Sequence, residues 1–526
     1  MRRISVAVKK FAIFCHRWMG VAFCLLFMWW FISGIFMMYW SYPAVSDRDR
    51  LAHSPALDSS RVKLSPVEAA KAAGFTDALP NAARLSMFDG RPAYFFRPGQ
   101  GSAIVYADTG EQQDVFPPEL NLRTAAAWTG QSAESAKVET IEEPEQWTIG
   151  VRRQLPLKKY SFPDGQQVYI SEDTGQVAQY TTTSSRIYAH LGAIPHWLYY
   201  TPLRVNGQLW TQVVVWSSGL ATIAATLGLI VGVWMWSPKQ RYRHQGQPTS
   251  VPYTGQKRLH TILGLFFGIL AMTWAFSGML SMDPFPELVS GGPIGGGAKG
   301  KGKGKGKGGA AQRVQQVFGR GRFDLTRYEA QHPQMVLAQL DPAFKVKELD
   351  YTSFLGEPVF HAIDEQGQTR VIPVSTESRL SADRVQQTAT EAAGAELADA
   401  ELLTKFDAYY LDRTGERPLP VLRVRLKDEG NTRIYIDPAT AQVVGRYADS
   451  RSSWVNRWLY HGLHSLDFPW LYNYRPLWDI VVLSLMLLCT WLCWTSIVLS
   501  YRVVKKKLGA AQARRVPNED LARSDV

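Results

Sequence analysis

Four apolar stretches, at 18–40, 206–236, 259–282 and 477–501, stand out from a chain that otherwise alternates short apolar runs with polar ones. A hydrocarbon core about 30 Å thick needs roughly 20 apolar residues as helix, and each of these stretches meets that length. The pattern predicts four membrane helices. Two long polar segments, 41–205 and 283–476, separate the first helix from the second and the third from the fourth.

Within the polar segments the period changes to that of short strands. Ser65 followed by Pro66 and Glu68 is a helix-start signal. Strand-like runs follow at 93–96 and 103–106, closing on the turn Asp108-Thr109-Gly110, and a second unit runs from 168–170 into Asp173-Thr174-Gly175. The later segment repeats the scheme with strands at 358–363, 369–374, 421–426 and 433–436 and a helix at about 381–403. There Ala441 stands where the earlier turns carry glycine, which makes a left-handed turn less secure. These Asp-led turns read first as hairpin chemistry.

Charge sets the orientation. Arg2, Arg3, Lys9, Lys10 and Arg17 precede the first span, Lys239 to Arg258 lie between the second and third, and Arg502 to Lys507 follow the fourth. By the positive-inside rule both termini (1–17 and 502–526) and the middle loop, 237–258, are cytoplasmic and the long segments lie across the membrane. The formal net charge of +12 gathers at membrane ends and in the Gly/Lys run at 283–312, which favours anchoring to membrane lipid over nucleic acid. The Gly/Lys run itself reads as a disordered linker. All four cysteines fall in or beside the first and last spans, and no C-x-x-C-H run for covalent haem attachment occurs.

The candidate chemistry is histidine at the membrane boundary. His16, Gly20 and Ser33-Gly34 recur in the same register as His260, Gly264 and Ser277-Gly278. Before the second and fourth spans a looser repeat carries His190 and His196, then Arg204, in one copy and His461 and His464, then Arg475, in the other. Halves packed about an axis along the membrane normal bring His16 to His260 on one face and His190 to His461 on the other, with His196 and His464 as rivals. Two facing imidazoles are the geometry of axial ligation to a haem iron. Arg204 and Arg475 could answer the haem carboxylates or anchor lipid head groups. Trp29, Trp30 and Trp274 lie in the interval between the two levels, as electron stepping points or as lipid-facing packing. Zinc is a poorer fit because Asp467 and Asp479 are the nearest carboxylates. No dinucleotide fingerprint supplies a reductant.

The H-R-W-M-G start at His16, the L-H-x-x-x-G start at His260, the Ser-Gly pairs and the D-T-G-ended units resemble the PepSY-associated transmembrane family. That resemblance implies a multi-pass bacterial inner-membrane protein: a four-helix bundle of two repeated halves, each with an α+β PepSY-type periplasmic domain (41–205 and 313–476). Characterised relatives look like haem-containing ferric-siderophore reductases, and with the paired histidines this leads to the expectation of two haem b groups that carry electrons outward to a ferric siderophore or other ferric chelate, the donor being quinol or a cytoplasmic flavoprotein. The alternative is a non-enzymatic membrane protein that binds or regulates a periplasmic partner such as a protease.

Overall fold

The structure is a computed structural model that describes residues 6–76, 79–97, 103–284, 309–318, 324–354, 357–375, 380–412 and 415–513. It divides into two compact units: one made of Met1–Tyr42, Ile187–Val289 and Trp454–Val526, the other of Pro43–Arg186 and Ser290–Ser453.

The first unit contains helices Val6–Met37, Gly207–Met235, Gly255–Leu280 and Leu477–Ala513. All four are long and apolar enough to cross a membrane. The first begins well before the predicted start at 18, so His16 sits inside the helix and not at its foot. Hydroxyls within the spans bond to carbonyls of their own helix, as Thr222 does to Ser218 and Thr226 to Thr222, so they need no water. Glycines let the second and third helices interlock. A Cβ at Gly232 would lie 3.2 Å from Leu265, and one at Gly268 3.1 Å from Leu229, so only the smallest residue admits these leucines. The outward faces stay apolar, with Leu25, Trp216 and Phe266 exposed as a lipid-facing surface would be.

The second unit is α+β. Its largest sheet is antiparallel throughout and joins both polar segments in the order Thr369–Pro373, Glu357–Ile363, Glu348–Phe354, Ala83–Phe88, Arg91–Phe96, Ala103–Tyr106, Gln112–Gln113. The two segments are therefore not separate domains, because Arg84, Leu85 and Ser86 pair with Asp350, Leu349 and Glu348. Tyr94, Phe96, Tyr351 and Phe360 form the core of that sheet.

Two four-stranded sheets complete the unit. One runs from Lys137–Ile141 to Val177–Thr181, with Trp128 of helix Pro118–Thr129 packed on Tyr160 and Val168. The other runs from Leu397–Leu403 to Gln442–Tyr447 beneath helices Ala310–Phe318 and Ala382–Ala393.

Three expectations need correction here. The helix at 381–403 stops at Ala393, because Gly394 takes a positive φ and residues Leu397–Leu403 are a strand. Arg425 and Arg423 hold that strand by ion pairs to Asp399 and Glu401 across the ladder. Second, the linker ends early: Ala310 and Ala311 begin a helix and are buried, while Lys299 to Lys307 lie outside the described residues. Third, Ala441 does adopt the left-handed conformation, at φ 55°, as Gly110 and Gly175 do at 77° and 61°. The Ser65 cap forms as read, its hydroxyl accepting from the Glu68 N–H while the Glu68 carboxylate accepts from the Ser65 N–H.

Candidate functional site: two histidine pairs in the membrane unit

Four histidines of this unit come together as two pairs, His16 and His260 from long helices and His196 and His464 from short helical turns. In site I the rings of His16 and His260 lie 6.2 Å apart, centre to centre, with planes at 29°. In site II the rings are those of His196 and His464, 5.9 Å apart at 71°. A bond from a metal to an imidazole nitrogen is about 2 Å and that nitrogen lies roughly 1 Å from its ring centre, so two imidazoles on one metal sit about 6 Å apart. Both separations match that spacing.

The tautomer of each ring follows from its partners. His16 Nδ1 lies 3.1 Å from the carbonyl of Ala224, which can only accept, so Nδ1 carries the proton. The other three use a hydroxyl relay. Ser33 Oγ donates to the Trp30 carbonyl at 3.1 Å and accepts from His196 Nδ1 at 3.1 Å. Ser277 Oγ donates to the Trp274 carbonyl and accepts from His464 Nδ1 at 3.0 Å. Thr495 Oγ1 donates to the Leu492 carbonyl and accepts from His260 Nδ1 at 3.0 Å. Every Nε2 thus keeps a bare lone pair, and none has a hydrogen-bond partner among the described residues. Such outer hydrogen bonds fix ring orientation and raise ligand basicity. Burial, and for His196 also the neighbouring imidazole, pulls the pKa of His196 down to about 3; burial alone takes His464 down to about 4. Both rings are neutral, as metal ligation requires.

Each pair faces a cavity of useful size. Site I opens on about 290 Å³ lined by Gly20, Phe23, Gly228, Gly264 and Gly268, and site II on about 370 Å³ lined by Trp30, Arg204, Trp274, Gly278 and Tyr460. Ligand sites are typically 300–1,000 Å³. Phe27 and Ala271 line both, so the two cavities abut at these residues. The glycines make the room: a Cβ at Gly228 would lie 2.6 Å from His16 Cε1, and those at Gly34 and Gly278 would lie 3.4 and 3.5 Å from His196 and His464. Trp274 Nε1 and Arg204 Nε are buried donors with no hydrogen-bond partner among the described residues.

The expected pairing of His190 with His461 is replaced by that of the rivals. His190 is exposed at the end of helix Thr183–Leu191, and His461 stacks on Tyr460 in the π-helical turn Val455–Gly462. A signal for the right pair was present. His196 precedes Trp210, and His464 precedes Trp478, by the same fourteen residues. Trp210 Nε1 donates to the carbonyl of Trp197, and Trp478 Nε1 to that of Ser465, in each case the residue after the histidine. Leu198 and Leu466, next in line, both take the left-handed conformation.

The remaining candidates separate. Arg204 lines the site II cavity, stacked on Tyr199 and Trp210. Arg475 instead meets Asp479 at 3.6 Å and stacks on Trp478. Trp29 is exposed on the helix surface, whereas Trp30 and Trp274 line the cavity. Asp467 is committed to a buried ion pair with Arg457 at 2.8 Å that closes the loop carrying His464. Among the described residues no cluster of three or more His, Cys, Asp or Glu side chains forms a metal site, so a four-ligand zinc set is not assembled.

Apolar spans and small-residue helix contacts define a multi-pass membrane protein, and its helical unit contains two cavities lined by paired histidines. The family model for the PepSY-associated TM region matches residues 14–352, and the chain belongs to that family. No curated protein matches it.

Proposed function

We propose that this protein conducts electrons across the membrane through two b-type haems, one held by His16 and His260 and the other by His196 and His464, and delivers them to a ferric chelate. The observation that carries this reading is the two pairs of Nδ1-anchored imidazoles whose ring centres lie 6.2 and 5.9 Å apart and whose Nε2 atoms have no hydrogen-bond partner among the described residues. A haem iron bound there would supply one-electron chemistry.

The chain's own residues would do the rest. Ser33, Ser277 and Thr495, with the Ala224 carbonyl, hold the rings in the ligating tautomer. Arg204, which lines the site II cavity, would meet a haem carboxylate there. Phe27, Phe31 and Trp274 fill the interval between the cavities, Phe31 and Trp274 meeting edge to face at 5.5 Å. Hard oxygen chelators release iron once it is reduced, so one electron per iron suffices.

The test is stopped-flow reoxidation. Dithionite-reduced protein mixed with ferric citrate should return to the oxidised spectrum while a ferrous-iron indicator develops. A protein with no reducible visible band contradicts the electron-transfer reading and leaves the partner-binding alternative. A band unmoved by ferric citrate or ferric hydroxamate contradicts the chelate as acceptor.

A further inference from the structure

The site I cavity is charged at one end and apolar at the other. Along helix Val6–Met37 its walls run from Arg17 to Phe27, and along helix Gly255–Leu280 from Lys257 to Ala271. Beyond Gly20 and Gly264 these two helices bring no charged side chain to it. Arg17 follows His16 directly and Lys257 precedes His260 by less than one helical turn, so each histidine has a cation beside it on the same rim. Arg17 and Phe27 lie roughly 15 Å apart along the helix axis, which separates the charged rim from the apolar floor.

The protein offers these two cations no counter-charge. Residues 1–46, 187–282 and 480–513 contain no Asp or Glu, and neither Arg17 nor Lys257 makes an ion pair among the described residues. Both side chains are exposed overall, and Arg17 reaches past the Phe14 ring at 5.9 Å. Cations at helix ends commonly serve the membrane surface. Lys10 and Arg258, exposed on the same two helices, fit that role and line no part of the cavity. Arg17 and Lys257 differ from them in forming its rim. An apolar chamber with two facing imidazoles and two unanswered cations on one edge suits a flat hydrocarbon ring that carries two acid groups on one side.

We propose that Arg17 and Lys257 are the carboxylate receptor of site I, each answering one acid group of a haem held by His16 and His260, with Phe27 and Ala271 against its hydrocarbon edge. The inference rests on the haem reading of site I and adds to it the residues that orient the group. Charge-assisted bonds are roughly twice as strong as neutral ones, so two of them hold one edge firmly. At site II a single cation, Arg204, lines the cavity, and the two sites therefore grip their acid groups unequally.

The experiment is haem release from the intact, detergent-solubilised protein to excess apomyoglobin, followed by the transfer of the Soret band. The parent protein should release its haem in two phases, one for each site. Arg17→Gln combined with Lys257→Gln should speed one phase at least about tenfold and leave the other in place, which shows that the fold is kept. Arg17→Lys, which retains the charge, should release more slowly than Arg17→Gln. Lys10→Gln combined with Arg258→Gln removes the same charge from the same helices and should match the parent. A chain that holds no haem and takes up none overturns this inference together with the electron-transfer reading. A chain with two haems overturns this inference alone if the Arg17 and Lys257 variant releases no faster than the parent, or if the Lys10 and Arg258 variant releases as fast as it does.

Discussion

Sites I and II hold their imidazoles by different means. In site II both rings rest on serine hydroxyls at matching places on two helices, Ser33 and Ser277, each anchored to the carbonyl three residues back. In site I His260 rests on Thr495 of the last helix, while His16 bonds to a backbone carbonyl alone, that of Ala224; His196 of site II lies 3.2 Å from the Trp30 carbonyl in addition to its serine. The histidines of site I also belong to the long helices themselves, whereas those of site II come from short turns, one of them closed by the buried Arg457–Asp467 pair. A histidine within a long helix is positioned by that helix, while one in a turn depends on its local contacts. Site II should therefore be the more easily disturbed by mutation.

The largest expected effects separate the two sites. His196→Ala or His464→Ala should lower haem content from about two per chain to about one, and His16→Ala or His260→Ala should do the same with a different residual spectrum. Identical residual spectra from both sets would break the distinction. Asp467→Ala removes the carboxylate from the buried Arg457 guanidinium, at a cost of about 3–5 kcal/mol. Thermal melts should show that loss, and redox titration should show site II affected and site I retained.

Gly228→Ala places a methyl 2.6 Å from His16, whereas Gly278→Ala places one at an ordinary 3.5 Å from His464. The first should shift the site I spectrum and the second should scarcely alter site II; equal effects would argue against the glycine cradle. The relays act on cofactor retention. Ser277→Ala should weaken cofactor retention at site II by roughly ten- to a hundredfold, and Thr495→Val should act only on site I.

Much of this architecture was legible because its signals are local. Unbroken apolar runs mark the spans, Ser65 and Glu68 mark a helix start, and Asp-Thr-Gly marks two turns, since each depends only on neighbours in sequence. Ala441 shows that a buried turn can hold a non-glycine residue in the left-handed region. The misread helix at 381–403 reflects a composition rich in Ala and Glu whose strand half is fixed by Arg423 and Arg425, more than twenty residues away. The pairing of Ala83–Phe88 with Glu348–Phe354 was invisible for the same reason.

At the site, the His16 and His260 register was plain because both helices run without insertions from histidine to Ser-Gly. The other pair was obscured because the looser repeat before the second and fourth spans carries insertions, and its residue order sets His190 against His461. Counting back from Trp210 and Trp478, whose indoles bond beside the histidines, gives His196 and His464.

The most direct measurement is pyridine haemochrome stoichiometry on the purified, intact protein. The account predicts about two b-type haems per chain with bis-imidazole low-spin spectra. Protein that is folded, free of tetrapyrrole as isolated, and unable to take up added hemin would contradict it.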